Sequence, residues 1–407
     1  MNKQTIDDLN LKGKRVLIRV DFNVPLTEDK KVADDKRIVA ALPTINKVIN
    51  DGGKAILMSH LGRPDGKAMP EYSLKPVAER LSELLNKSVV FAPDCVGEPA
   101  EKAVAAMKAG DVVLLENLRF YPEEEGKKEG VKMSKEERQW FIDGLSKLGD
   151  LYIDDAFGTA HRAHASMAGV PQKLKQGASG YLMSKELAYF AKVFDKPERP
   201  LLAILGGAKV SDKIMVIDNL LEKVDSLIIG GAMAYTFLKA KGVAVGKSRV
   251  EEDFIEKAKE YFIKAKAKGV TLLLPVDHIV AAEFPSGESG VGEVINAEAI
   301  PADKMGLDIG PKTLELYQAE AKKSKTIIWN GPMGVFEVKG FEKGTYGLAE
   351  AIATSGAVSV VGGGDSASAA KKSGFGKQFS HISTGGGASL ELMEGKILPG
   401  VAALTDK

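Results

Sequence analysis

Cysteine is nearly missing from this sequence. Cys95 stands alone among 407 residues, which excludes an internal disulfide framework, fits a reducing compartment and marks that thiol as a structural one. An excess of charge of either sign is missing too. Lys and Arg total 56 against 55 for Asp and Glu, and a net charge of +1 gives no global field that would draw the chain onto nucleic acid or an anionic membrane. No apolar run approaches the roughly 20 residues that span a bilayer. The amino terminus, Met1 to Asp8, carries acids where a secretory signal has an apolar stretch, so a cytoplasmic protein is expected. Histidines are scarce, and His161 and His164 have no cysteine or third histidine beside them that would complete a metal set. Any anion binding must therefore be local.

The length suggests two domains with a cleft between them. Short β-branched runs recur along the whole chain: Val16 to Val20, Lys54 to Ser59, Val112 to Leu115, Leu151 to Asp154, Leu201 to Leu205, Leu227 to Ile229, Thr271 to Pro275, Thr326 to Trp329 and Val358 to Val361. Between them lie amphipathic stretches such as Leu74 to Leu85, with apolar residues at helical spacing. This alternation predicts parallel sheets covered on both faces by helices. A helical pattern over Ser184 to Asp195, stopped by Lys196-Pro-Glu-Arg-Pro200, is the natural link between two lobes. The acidic and basic stretch Glu123 to Glu129 reads as a solvated loop.

In the first half, the second, third and fourth apolar runs each hand over to a loop with one arginine: Arg63 in His60-Leu-Gly-Arg-Pro64, Arg119 in Glu116-Asn-Leu-Arg-Phe120, and Arg162 in the segment ending at Ser166. Asp21 and Asn23 follow the first run, and Arg37 lies in Asp34-Asp-Lys-Arg-Ile38. Parallel strands bring their carboxyl ends to one edge of a sheet, so these arginines are expected to converge with His60. Guanidinium forks suit carboxylate and phosphate oxygens, which points to a small phosphorylated acid.

The second half uses glycine in those places: Gly206-Gly-Ala-Lys-Val-Ser-Asp-Lys213, Gly230-Gly231, Asn330-Gly-Pro-Met-Gly334, Gly362-Gly-Gly-Asp-Ser366 and Ser383-Thr-Gly-Gly-Gly-Ala388. Glycine lets backbone N–H groups approach phosphate, and a following helix adds its positive end. Asp365 is placed to meet the Mg²⁺ that accompanies nucleotide phosphates. If a helix begins near Val210, Lys209 and Lys213 share one face and point at one phosphate chain. Gly242-Val-Ala-Val-Gly-Lys-Ser248 imitates a P-loop but is one residue short between its glycines and follows a helical run.

These motifs, together with Arg19-Val-Asp-Phe-Asn-Val-Pro25, resemble phosphoglycerate kinase in order from about residue 15 to about residue 400. The resemblance implies two doubly wound, Rossmann-like α/β lobes: residues 1–183 plus 395–407 for the phosphoglycerate, 200–394 for the nucleotide, and 184–199 as interdomain helix and hinge. It implies reversible Mg-dependent phosphoryl transfer between 1,3-bisphosphoglycerate and ADP, giving 3-phosphoglycerate and ATP, by a monomer. Asp21, Phe22, Asn23, Arg37, His60, Leu61, Gly62, Arg63, Arg119 and Arg162 are then the acid contacts. Lys213, Gly231, Gly306, Glu337, Gly363, Gly364, Asp365 and Ser366 are the nucleotide contacts, with Asp365 on the metal. Arg37, Lys209, Lys213, Gly363 and Gly364 are the candidates for offsetting charge on the transferring phosphoryl group. Two rivals stay open: a non-catalytic two-lobed anion-binding protein, which leaves the glycine-rich site unexplained, and a kinase for another phosphorylated acid. A dehydrogenase is disfavoured because no G-x-G-x-x-G follows the first run.

Overall fold

The computed structural model describes residues 2–407. Two compact units emerge, Met1–Leu187 with Ile397–Lys407, and Ala188–Lys396. In the first unit the strands are β1 (Arg15–Arg19), β2 (Lys54–Met58), β3 (Val89–Phe91), β4 (Val112–Leu114), the small hairpin β5 (Lys127–Lys128) and β6 (Val131–Lys132), β7 (Leu151–Asp154) and β8 (Ala178–Ser179). Apart from the hairpin they form one sheet in the order β3-β4-β2-β1-β7-β8, parallel throughout.

The sheet is apolar on both faces because alternate residues of each strand feed different cores. Val16, Ile18, Ala55, Leu57, Val112 and Leu114 pack with Ile38 and Ile45 of the helix Lys36–Asn50 and with Val77 and Leu81 of the helix Lys75–Leu85. Their neighbours Leu17, Ile56, Met58, Val113 and Leu115 pack with Phe141 and Leu145 of the helix Lys135–Ser146. A strand buried on both sides reads as an unbroken apolar run, which is why these were visible in the sequence. Cys95 is wholly buried in the second of these cores.

The second unit holds β9 (Leu201–Leu205), β10 (Ser226–Ile229), β11 (Thr271–Leu273), β12 (His278–Ala281), β13 (Glu293–Ile295), β14 (Met305–Ile309), β15 (Thr326–Asn330), β16 (Val358–Val361) and β17 (His381–Ile382). Its main sheet, β11-β10-β9-β15-β16-β17, is again parallel. Leu202, Ile204, Ile228, Ile327 and Trp329 share one core. A separate antiparallel sheet, β13-β12-β14, departs from the expected all-parallel pattern. Its outer strand is half exposed and three residues long, too short for a period of two to show in the sequence.

The carboxyl-terminal segment returns to the first unit, where Thr405 donates to Gly177 O and accepts from Gln4 N. The linking helix runs over Tyr181–Phe194 and contains the boundary between the units. The expected solvated loop over Glu123 to Glu129 is corrected. Pro122–Glu125 is a short helix, and Glu124 is fully buried, since its carboxylate is committed to Ser166.

Candidate active site

Arg19 at the end of β1 pairs in register with Met58 of β2 and Asp154 of β7, so three chains leave the first sheet at the same level. Their loops are tied together. Asn23 Oδ1 accepts from Gly62 N at 2.9 Å, Arg119 Nη1 donates to Gly62 O at 2.9 Å, and Phe22 N donates to Ser59 Oγ at 2.9 Å. Gly62 has φ +63°, and a Cβ there would lie 2.3 Å from the Tyr72 ring, so only glycine fits this junction. Arg37 Nη1 donates to Asp21 Oδ2 at 2.6 Å. Arg63 and Arg162 are exposed, and neither guanidinium has a hydrogen bond or ion pair among the described residues. The side chains of Phe22 and Leu61, both expected as acid contacts, lie in the core.

The charge beneath this edge comes from a residue that the motif reading passed over. Arg19 is wholly buried; its Nε donates to Ser166 Oγ at 2.9 Å, and its Nη2 donates to His60 Nδ1 at 3.1 Å. Ser166 in turn donates through Oγ to Glu124 Oε1 at 2.6 Å and through N to Glu124 Oε2 at 2.9 Å. A guanidinium only donates, so His60 Nδ1 accepts and the ring proton sits on Nε2. Burial first, then Arg19 and Arg119, hold His60 well below its ordinary pKa and keep it neutral. His164 is held down to about 3 by burial and by Arg119, Arg19 and Arg162, so its 3.8 Å approach to Glu124 is no ion pair. Burial also lowers the pKa of Arg119, against the pull of Glu125. The result is a positive edge with two unpaired guanidiniums and neutral imidazoles.

Two glycines of the second sheet, Gly206 and Gly331, are required by packing between neighbouring turns. A Cβ on Gly206 would sit 2.0 Å from Pro332 O, and one on Gly331 would sit 2.2 Å from Gly206 O. These turns follow the adjacent strands β9 and β15, so glycine lets neighbouring turns press backbone to backbone. Beside them opens a cavity of about 420 Å³, with Gly231, Gly306, Glu337 and Asp365 on its walls as expected. The rest of its lining is largely apolar, including Tyr235, Phe284, Met305, Leu307 and Met333, with Arg249 as a further charged group.

Lys213, Gly363, Gly364 and Ser366 stand outside that lining. Lys213 donates to Asn330 Oδ1, and Asn330 Nδ2 donates to Gly362 O at 2.9 Å, which ties the lysine to the turn before the helix Gly364–Lys372. Burial lowers the Lys213 pKa to about 8, although Asp212, Asp365 and Glu394 oppose the shift. Ser366 is buried, and its Oγ accepts from Gly331 N at 2.6 Å, which ties the start of this helix to the turn after β15. The shared helical face of Lys209 and Lys213 is also corrected. A short 3-10 turn, Ser211–Lys213, precedes the helix Ile214–Leu220, and Lys209 lies exposed in the loop before it. The imitation P-loop follows the helix Met233–Ala240, and its Ser248 Oγ accepts from Gly306 N.

A family model described as phosphoglycerate kinase matches residues 6–396. The chain belongs to the phosphoglycerate kinase family. It is 58% identical over 408 residues to the phosphoglycerate kinase of Clostridium perfringens, covering 100% of this chain and 99% of the relative. It is 57% identical to that of Clostridium novyi, with 100% of each chain covered. Among solved structures, phosphoglycerate kinase from Coxiella burnetii superposes with a TM-score of 0.89 at 42% identity, and that from Pyrococcus horikoshii OT3 with 0.80 at 34%, each covering 98% of both chains. Phosphoglycerate kinase activity, phosphoryl transfer between 1,3-bisphosphoglycerate and ADP, is thus the chain's function.

For this kinase, sequence reasoning missed Arg19, Glu124 and Asn330. A signal for Arg19 was present: a charge inside a strand apolar on both sides must find buried partners. Glu124 gave none, because its acidic neighbours suggested solvent.

Proposed function

We propose that the positive edge of the first unit holds the phosphorylated acid and that the cavity of the second unit holds the magnesium nucleotide. The contrast between two unpaired guanidiniums on one unit and a largely apolar cavity with a metal-suited carboxylate on the other carries this reading. Arg63, Arg162 and Arg119 hold the phosphate of the acid, and neutral His60 donates its Nε2 proton to it. Asn23 and Asp21 orient the glycerate end, and Arg37 turns from Asp21 towards the group in transfer. Tyr235, Gly306 and Met305 wall the base, Glu337 holds the ribose, and Lys213 with the N–H groups after Gly363 meets the phosphates.

Asp365 suits the ion that travels with the nucleotide. Mg²⁺ takes one or two protein carboxylates and completes its octahedron with phosphate oxygens and water. Among the described residues no cluster of three metal-ligating side chains exists, and phosphate oxygens and water would complete the ion's ligands beside Asp365. When bound, the ion offsets phosphate charge. The acceptor is a carboxylate, ionised at neutral pH, so no general base is needed. Positioning and electrostatic stabilisation of the spread charge remain as the protein's contribution. The single buried Cys95 suits a cytoplasmic enzyme, and we propose that it acts as a monomer.

Steady-state kinetics of arginine variants test the residue roles. Arg63→Ala and Arg162→Ala are expected to raise KM for 3-phosphoglycerate about 10- to 100-fold, with KM for the nucleotide unchanged, as lost charge-assisted bonds imply. Arg37→Ala is expected to lower kcat by about 10³-fold or more, as for arginines that meet charge only in the transition state. Equal kcat losses in all three variants would overturn this division.

A further inference from the structure

Arg249 is the one cation on the wall of the nucleotide cavity, and the catalytic reading leaves it without a task. It is exposed, and its guanidinium has no hydrogen bond or ion pair among the described residues. The nearby acids are engaged elsewhere: Glu251 accepts from the backbone of Val210 and Ser211, and Glu252 pairs with Lys239. The preceding residue, Ser248, accepts from Gly306 N at 2.9 Å, which anchors Arg249 beside the wall assigned above to the base. Phe284 lines the same cavity with 60% of its surface exposed, an aromatic face for a planar ring to cover. Asp365 and Glu337 are taken by metal and ribose, so the base is the remaining partner for this charge.

We propose that Arg249 is a specificity-determining residue that reads the edge of the purine base and admits guanine nucleotides alongside adenine ones. The inference rests on the nucleotide reading of this cavity. A guanidinium offers five N–H donors and no acceptor. Guanine presents two acceptors side by side, N7 and O6, whereas adenine presents N7 beside an amino donor. The fork therefore meets guanine through two bonds and adenine through one, while the ring of either purine stacks on Phe284.

The test compares kcat/KM for MgGTP and MgATP at saturating 3-phosphoglycerate in the wild-type chain, Arg249→Leu, Arg249→Lys and Glu337→Gln. Arg249→Leu is expected to lower the value for MgGTP by roughly 5- to 150-fold, the usual range for losing a bidentate contact to guanine, with a smaller loss for MgATP. The loss falls on KM, and kcat stays. Arg249→Lys, which keeps the charge without the fork, loses the same preference, and Glu337→Gln raises KM for both nucleotides equally. An unchanged GTP to ATP ratio in Arg249→Leu, with Glu337→Gln still impaired, overturns the role of Arg249 and leaves the cavity as the nucleotide site. If neither variant alters KM for either nucleotide, the cavity is not the nucleotide site and the proposal falls with it. Unfolding midpoints equal to wild type confirm that these exposed substitutions leave the fold intact.

Discussion

Lys213 joins burial to chemistry at the scale of a single residue. Its ammonium is useful to a phosphate chain only while protonated, and burial lowers its pKa to about 8 in the free enzyme. Below that pH the charge is present; above it the charge is lost. The profile of kcat/KM for MgADP reports the free enzyme, so it is expected to fall tenfold per pH unit above about 8. Lys213→Arg, whose guanidinium stays charged, should keep a plateau through that range. A wild-type profile flat to pH 10 would remove Lys213 from the phosphate contacts. Arg63, Arg119 and Arg162 were readable in the sequence because each follows an apolar run. The bond between Ser366 and Gly331 was not, since a hydroxyl after Gly-Gly-Asp serves a ligand or a neighbouring turn equally well by composition.

At the scale of elements, short segments hold the strand ends in place through buried carboxylates. Glu116 accepts from Leu74 N and Ser73 Oγ at the start of the helix Lys75–Leu85. Asp155 Oδ1 accepts from Leu182 N at 2.9 Å and Met183 N at 3.2 Å, at the start of the helix Tyr181–Phe194. Glu124, on its one-turn helix, offsets the buried charge of Arg19 through Ser166. Removing one partner of a buried charge network leaves the other uncompensated, so Glu124→Ala is expected to lower the unfolding free energy by about 3 to 5 kcal/mol. Denaturant titration checks this, and a loss within about 0.5 kcal/mol, the usual scale of a surface substitution, would return Glu124 to the role of a solvated acid. Long elements with regular spacing were visible in advance. The one-turn helix and the edge strands β3, β8 and β17 were not, because two to four residues cannot display a period.

Over the whole molecule, the βα rhythm announced two parallel sheets, and the change from arginine loops to glycine loops marked the passage from one unit to the other. The antiparallel sheet β13-β12-β14 and the return of the carboxyl terminus were beyond local pattern, since both depend on contacts distant in sequence. An acid held by one unit and a nucleotide held by the other react only when brought together, and the helix Tyr181–Phe194 is the hinge we propose. Solution scattering is expected to show a smaller radius of gyration with both substrates than with either alone. An unchanged profile would argue against closure. The separation of the two ligands is tested most directly by calorimetric titration of 3-phosphoglycerate and MgADP, each alone, into the full chain carrying Arg162→Ala or Lys213→Ala. The predicted result is a crossed pattern, in which Arg162→Ala weakens only the acid and Lys213→Ala only the nucleotide. Equal weakening of both ligands by either variant would contradict it.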